Sequence, residues 1–247
     1  MKILFLGTLL NPLSIACLKA LCDAHRYTVV VGIASPWRGG ALKAFLRRWR
    51  RYGRHDLLKR IRLLLVSTLQ NQVKTNGSAD GKRYSLLTMA ILNNVEHFWC
   101  DNINGEDSLR TIRAFSPDLI VVANFSQVLR AQLLEIPSMG CVNVHPSLLP
   151  KYRGPSPIYW VLKNKESVTG VTIHYIDERI DSGDIILQKQ IPIDGRDNER
   201  TLESKCALVG SEILQSAIDL VKEGKAKRRK QEEDDATYYS FPRSSHQ

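Results

Sequence analysis

The chain has 247 residues, 43% of them hydrophobic, and its 35 Lys and Arg against 25 Asp and Glu give a formal charge of +10. That length and apolar content suffice to bury a full core, which excludes a disordered chain and a disulfide-stapled miniprotein. Five cysteines, Cys17, Cys22, Cys100, Cys141 and Cys206, are an odd number without metal-finger spacing, so buried reduced thiols in a cytoplasmic protein are expected, with no metal site.

In chain order, residues 2–6 read as a strand and the stretch to Cys22 as a helix. A signal peptide is the poorer reading, because Lys2 is the only charge ahead of the apolar run and Asn11-Pro12 interrupts it. A second strand is expected at 27–35. Residues 36–95 then read as an insertion that an α/β sheet does not need. Over 37–62 there are ten Lys or Arg against Asp56, a local charge of +9. Leu42, Phe45, Leu46 and Trp49, then Leu57, Leu58, Ile61 and Leu65, recur at helical spacing, giving two basic amphipathic segments hinged near Gly53. Such segments either pack on the domain with their arginines solvated or dock on an anionic membrane surface or a tRNA backbone. In the second case the protein is placed at the inner membrane surface or on RNA.

Further along, a helix is expected near 106–115, strands at 118–123, 142–145, 171–176 and 185–193, and a long helix at 199–222. This alternation predicts an α/β fold, a doubly wound and mostly parallel sheet of Rossmann-like type. The expected organisation is one domain over 1–224, carrying the basic insertion, and a tail over 225–247. The tail runs from a basic block to the acidic Glu232-Glu233-Asp234-Asp235 and then to Tyr238-Tyr239-Ser240-Phe241. Charge blocks of this kind read as a solvated linker whose aromatic end can fold back. Nothing indicates an oligomeric state.

The chemistry-bearing residues cluster between Cys141 and Asp184. Asn143 and His145 stand at i and i+2 of a short apolar run, so on a strand both side chains leave the same face. Pro146 and Pro150 end that strand and place His145 at its carboxyl end. Asp181 opens the turn Asp181-Ser182-Gly183 after a second β-like run, within reach of a strand-end histidine. An amide, an imidazole and a carboxylate can hold an oxyanion, move a proton and orient the base that moves it.

The stretch from Asn143 through His145-Pro146-Ser147-Leu148-Leu149-Pro150, the following Tyr152-Arg153-Gly154, and Asp181-Ser182-Gly183 with Ile185-Ile186-Leu187-Gln188 resemble the folate-dependent formyltransferase family. That family includes glycinamide ribonucleotide, methionyl-tRNA and sugar-nucleotide members. The resemblance implies an amine attacking the formyl carbon of 10-formyltetrahydrofolate, with Asn143, His145 and Asp181 as the catalytic trio. In those roles Asn143 donates its amide N–H to the oxyanion, His145 stabilises it or relays a proton, and Asp181 fixes the imidazole. It also implies that the pterin of the folate lies along backbone at Gln127, Val128 and Leu129 and, on the other wall, at Glu178, Arg179 and Ile180.

After the first strand, Gly7-Thr8-Leu9-Leu10-Asn11 has too few glycines to wrap a phosphate, which turns the expected acceptor away from glycinamide ribonucleotide. The leading expectation is an amino sugar on a nucleotide or envelope precursor. Methionyl-tRNA is the alternative, opposed by the short stretch after the last helix, about twenty residues, in which no β-barrel can be built. A 10-formyltetrahydrofolate hydrolase using the trio on water, and an inactive formyltransferase-like binding module, are further alternatives.

Overall fold

A computed structural model of the chain describes residues 1–34 and 85–242. The basic segment at 37–62, and with it the expected membrane or tRNA contact, lies outside the described residues.

Among the described residues seven strands form one sheet in the order β3-β2-β1-β4-β5-β6-β7. The first two are β1 (Lys2–Gly7) and β2 (Thr28–Ala34), joined by helix α1 (Pro12–Asp23). Asn11 caps α1 by accepting from the Ser14 N–H, and Pro12, which has no N–H to waste, is its first residue. Helix α2 (Leu86–Leu92) leads into β3 (Glu96–Cys100), α3 (Glu106–Phe115) into β4 (Leu119–Ala123), and the short α4 (Ala131–Leu134) into β5 (Cys141–His145). Helix α5 (Pro157–Lys163) precedes β6 (Val168–Tyr175) and β7 (Ile185–Pro192), and the chain closes on α6 (Glu199–Lys222). The pairs from β3 through β5 are parallel. The pairs β5–β6 and β6–β7 are antiparallel. The doubly wound, mostly parallel reading therefore holds, with the sheet changing sense at β5.

Alternation along the strands divides the core. Ile3 and Phe5 of β1, Val31 and Ile33 of β2, and Val142 and Val144 of β5 face the layer of α1, α2 and α6. Leu4, Leu6, Ile120, Val122 and Cys141 face the other way, against Leu109 and Ile112 of α3 and Leu133 of α4. At period two, Asn143 and His145 follow Cys141 onto this second face. On that face the loop residues Tyr152, Gly154 and Asp181 meet Asn143 and His145.

Helices α2, α4 and α5 and strand β3 had no counterpart in the sequence reading. Helix α2 falls inside the stretch assigned to the insertion, yet Leu86, Met89 and Ala90 are buried in the same cluster as α1. Strand β3 is an edge strand exposed along most of its length, and of its residues only Cys100 is fully buried. Its Glu96-His97-Phe98-Trp99 run therefore shows neither an apolar stretch nor an alternation.

The tail over 225–242 folds back rather than running into solvent. Arg229 exchanges both backbone hydrogen bonds with Ile185. Further on, the Arg153 N–H donates to the Thr237 carbonyl and the Tyr239 N–H to the Arg153 carbonyl, at 2.8 and 3.0 Å. Tyr239 stacks on Tyr152 and on Trp160, with ring centroids 5.2 and 4.8 Å apart. Of the aromatic end only Tyr239 is half-buried on this wall, while Tyr238 and Phe241 stand exposed, and the middle of the tail enters the loop network described below.

Candidate active site

Strand pairing sets the first half of the site. Asn143 of β5 stands opposite His174 of β6 in the antiparallel register, so their side chains leave the same face as neighbours. Asn143 Nδ2 lies 3.2 Å from His174 Nε2. The pairing of β6 with β7 slips between Ile173 and His174, a local irregularity of the kind that re-aims side chains next to functional sites. The loop from β6 to β7 then turns back over this face and carries Asp181 to it. Asn143 Nδ2 donates to Asp181 Oδ1 at 3.2 Å, and the Gly154 N–H donates to Asp181 Oδ2 at 2.9 Å. His145 Nδ1 and His174 Nε2 each stand 3.6 Å from the carboxylate. The structure thus brings together Asn143, His145 and Asp181, and adds His174.

The hydrogen bonds assign the protons. His145 Nε2 lies 2.8 Å from the Tyr152 carbonyl, which only accepts, so Nε2 carries a proton and a neutral ring presents a bare Nδ1 to Asp181. By the same argument His174 Nδ1, 2.7 Å from the Tyr175 carbonyl, is protonated and its Nε2 accepts from Asn143. Both Asn143 N–H groups are then engaged, one on Asp181 and one on His174. Donation from Asn143 to any further acceptor requires exchange of one of those partners. The 3.6 Å separations exceed hydrogen-bond distance, so the carboxylate and the two rings converge without closing on one another.

Electrostatics separates the acid from the base. Burial disfavours the charged ring and lowers the pKa of His145, although Asp181 pulls the other way. Burial also opposes ionisation of Asp181. The two imidazoles, when charged, outweigh it together with the Gly154 N–H and hold the carboxyl well below the usual carboxylate range. With the rings neutral, the Gly154 and Asn143 donors still favour the anion. The pair at neutral pH is a neutral imidazole beside a carboxylate.

The loops expected to border a pterin have distinct roles. Gln127 turns inward: its Oε1 accepts from the Ile103 N–H at 2.8 Å, and its Nε2 donates to the carbonyls of Cys100 and Asp101 at 3.3 Å. It ties the exit of β3 to the exit of β4. Asn104 clips the same loop, donating to the Val128 carbonyl and accepting from the Arg130 N–H. Leu129 is buried, while Val128 stands exposed, beside a pocket of about 350 Å³ lined by Asn102, Asn104, Ser126, Val128 and Arg130. On the other wall Glu178, Arg179 and Ile180 are exposed. Ser182 and the Arg179 N–H both bond the Asp177 carboxylate, which shapes that turn. A larger cavity of about 550 Å³ opens beside Asp118 and Ser138 and touches none of these residues.

His174 is the site residue that sequence reasoning passed over. Its signal was present: in Val171-Thr172-Ile173-His174 the apolar and polar residues alternate, so Thr172 and His174 share the polar face on which Asn143 was placed. Thr172 serves the same neighbourhood, since its Oγ1 donates to the Ser147 carbonyl at 2.6 Å and accepts from the Leu149 N–H at 3.2 Å. These bonds hold the loop after β5 in place.

Residues 86–218, which carry every side chain of this cluster, match the family model described as formyl transferase. The chain is 46% identical over 138 residues to the methionyl-tRNA formyltransferase of Halothermothrix orenii, an alignment that covers 56% of this chain and 44% of that protein. It spans about half the length of the curated relatives it matches. Among solved structures, glycinamide ribonucleotide transformylase 1 from Symbiobacterium toebii superposes with a TM-score of 0.65 at 20% identity, covering 94% of this chain and 93% of that one. The N-formyltransferase from Helicobacter canadensis, solved with folinic acid and dTDP-3-aminofucose, gives 0.62 at 20% identity, covering 98% and 71%. Those two likenesses establish the fold. With the family match running over more than half of the sequence and through the whole convergent cluster on β5, β6 and their loops, the chain belongs to the formyl transferase family.

Proposed function

We propose that the chain transfers the formyl group of 10-formyltetrahydrofolate to a primary amine, and that the amine is the methionyl group of a charged tRNA. The observation that carries the chemistry is the bare Nδ1 of a neutral, buried His145 facing the ionised Asp181, next to the Asn143 amide. The acceptor follows the methionyl-tRNA formyltransferases with which the chain shares more than 40% identity, and not the amino sugar that the sequence alone put first.

The folate co-substrate supplies an activated formyl carbon, and the residues present suit it. Val128 and Ile180 are exposed apolar side chains, one on each of the two loops, suited to the faces of a flat heterocycle. In the transfer, His145 Nδ1 accepts the proton of the attacking amine as the new C–N bond forms. Asp181 stabilises the imidazolium, and its own hydrogen bonds from Gly154 and Asn143 keep it from taking that proton. The proton then leaves from Nδ1 to the departing nitrogen. Asn143 swings one N–H from His174 to the formyl oxygen, which gains negative charge as the amine adds.

The test is turnover by the native chain with 10-formyltetrahydrofolate and, separately, methionyl-tRNA, amino-sugar nucleotides, glycinamide ribonucleotide and water. Formylation of methionyl-tRNA above the others is the expected result. Formylation of a sugar nucleotide alone would move the acceptor, and release of formate without any amine product would replace transfer by hydrolysis.

A further inference from the structure

We infer that Gln231, on the tail, is a positioning residue for Asp181 and makes residues 225–239 part of the catalytic unit. Asp181 needs such support. It comes from a loop, and it holds a left-handed φ of +51°, which a residue with a side chain keeps only when its surroundings enforce it. The loop has no slack on its far side: a Cβ at Gly183 would lie 1.9 Å from the Tyr175 carbonyl oxygen.

Gln231 grips the main chain of this turn. Its Nε2 donates to the carbonyls of Asp181 and Gly183, at 2.9 and 2.8 Å. Its Oε1 accepts from Arg153 Nε at 3.1 Å. Every hydrogen-bonding group of the buried amide is thus used, which gives it one orientation. Arg153, itself buried, forks onto Glu233 at 3.0 and 3.3 Å. The next residue, Gly154, donates the N–H that holds the Asp181 carboxylate. Asp181 is therefore held by its side chain from Gly154 and by its main chain from Gln231, and Arg153 joins the two grips. Backbone pairing at Arg229 and at residues 237–239 pins the tail on either side of Gln231.

This inference rests on the formyl-transfer reading for its kinetic arm and not for its spectroscopic one. In the full chain, the imidazole titration of His145 is followed by NMR in the native protein and in Gln231→Ala, Gln231→Glu and Glu233→Ala, with kcat and KM measured below each melting temperature. Asp181 raises the His145 pKa, so a displaced carboxylate shifts the titration to lower pH. Gln231→Ala is expected to show that shift and a fall in kcat of about tenfold, with a much smaller change in amine KM. Gln231→Glu retains the size and the Arg153 partner but cannot donate to the two carbonyls, so it should behave like the alanine variant; restored kcat and titration would make Gln231 a filler and overturn the proposal. Glu233→Ala removes a side chain that is more than half exposed. It decides the matter if the Gln231 variants do not fold, with the same shift in the same direction, though smaller. A lowered melting temperature with unchanged titration and kcat overturns the inference. Absence of transfer in the native chain defeats the functional reading, while the titrations still decide the role of Gln231.

Discussion

The site has two halves that are built differently. Asn143, His145 and His174 are borne by strands, and the ladder between β5 and β6 places them within a face whose register is fixed by the buried Val142, Val144, Val171 and Ile173. Asp181 is borne by a loop and is held by contacts from residues 153–154 and 231, far along the chain. A strand-borne group inherits its precision from the sheet, whereas a loop-borne group needs dedicated partners. The clustered side chains and the groups that hold them therefore separate in sequence, and most of the holding falls on the carboxylate.

Substitutions can break the comparison at either half. The largest effects are expected at the groups proposed to meet the reacting atoms: His145→Ala and Asp181→Ala should each lower formyl transfer by about 10²–10⁴. The double variant should be little worse than either single one, because the pair acts as a unit. Full additivity would mean that the strand-borne and loop-borne halves work independently. Next is His174, which holds Asn143 from across the ladder. His174→Ala should lower kcat about tenfold, and His174→Gln, whose side-chain oxygen can accept from Asn143, should recover part of it. An unchanged kcat in His174→Ala would reduce that contact to packing. Replacing the exposed Val128 by Glu should raise the KM for the folate about tenfold while leaving the amine KM nearly constant, and equal effects on both would move the folate elsewhere.

The smallest effect is one of stability. Gly154 has φ +95°, and a Cβ there would lie 2.4 Å from the Tyr239 carbonyl oxygen. Gly154→Ala should therefore destabilise the protein by about 1–3 kcal/mol, read as a lowered melting temperature. No change would show that the tail is free to move away from the loop.

How much of this was legible follows from the same contrast. Asn143 and His145 could be placed on one face because a strand has period two, and Asp181 was reachable because it follows the next apolar run. The sheet was legible wherever strands are buried on both faces, as Leu119–Ala123 is, and illegible at the exposed edge strand Glu96–Cys100. The grip of Gln231 on Asp181 spans 50 residues and has no local pattern, since a glutamine in a charged tail looks the same whether it is solvated or buried. The inward turn of Gln127 was hidden for a related reason: its partners lie on the loop after β3, an element that the sequence reading did not contain.

In the proposed transfer a neutral His145, kept basic by Asp181, takes the proton of the amine. The most direct measurement is the pH dependence of kcat/KM for formyl transfer in the native chain and in Asp181→Asn. Burial lowers the pKa of His145 from its ordinary value although Asp181 pulls the other way, so the neutral base persists to lower pH and the acid limb of the native profile should fall below the range of a free imidazole. Removing the Asp181 charge takes away the influence that raises this pKa, so the limb of the slower Asp181→Asn enzyme should move lower still. A native limb at or above that range, or one that stays in place when Asp181 loses its charge, would mean that His145 is not the base.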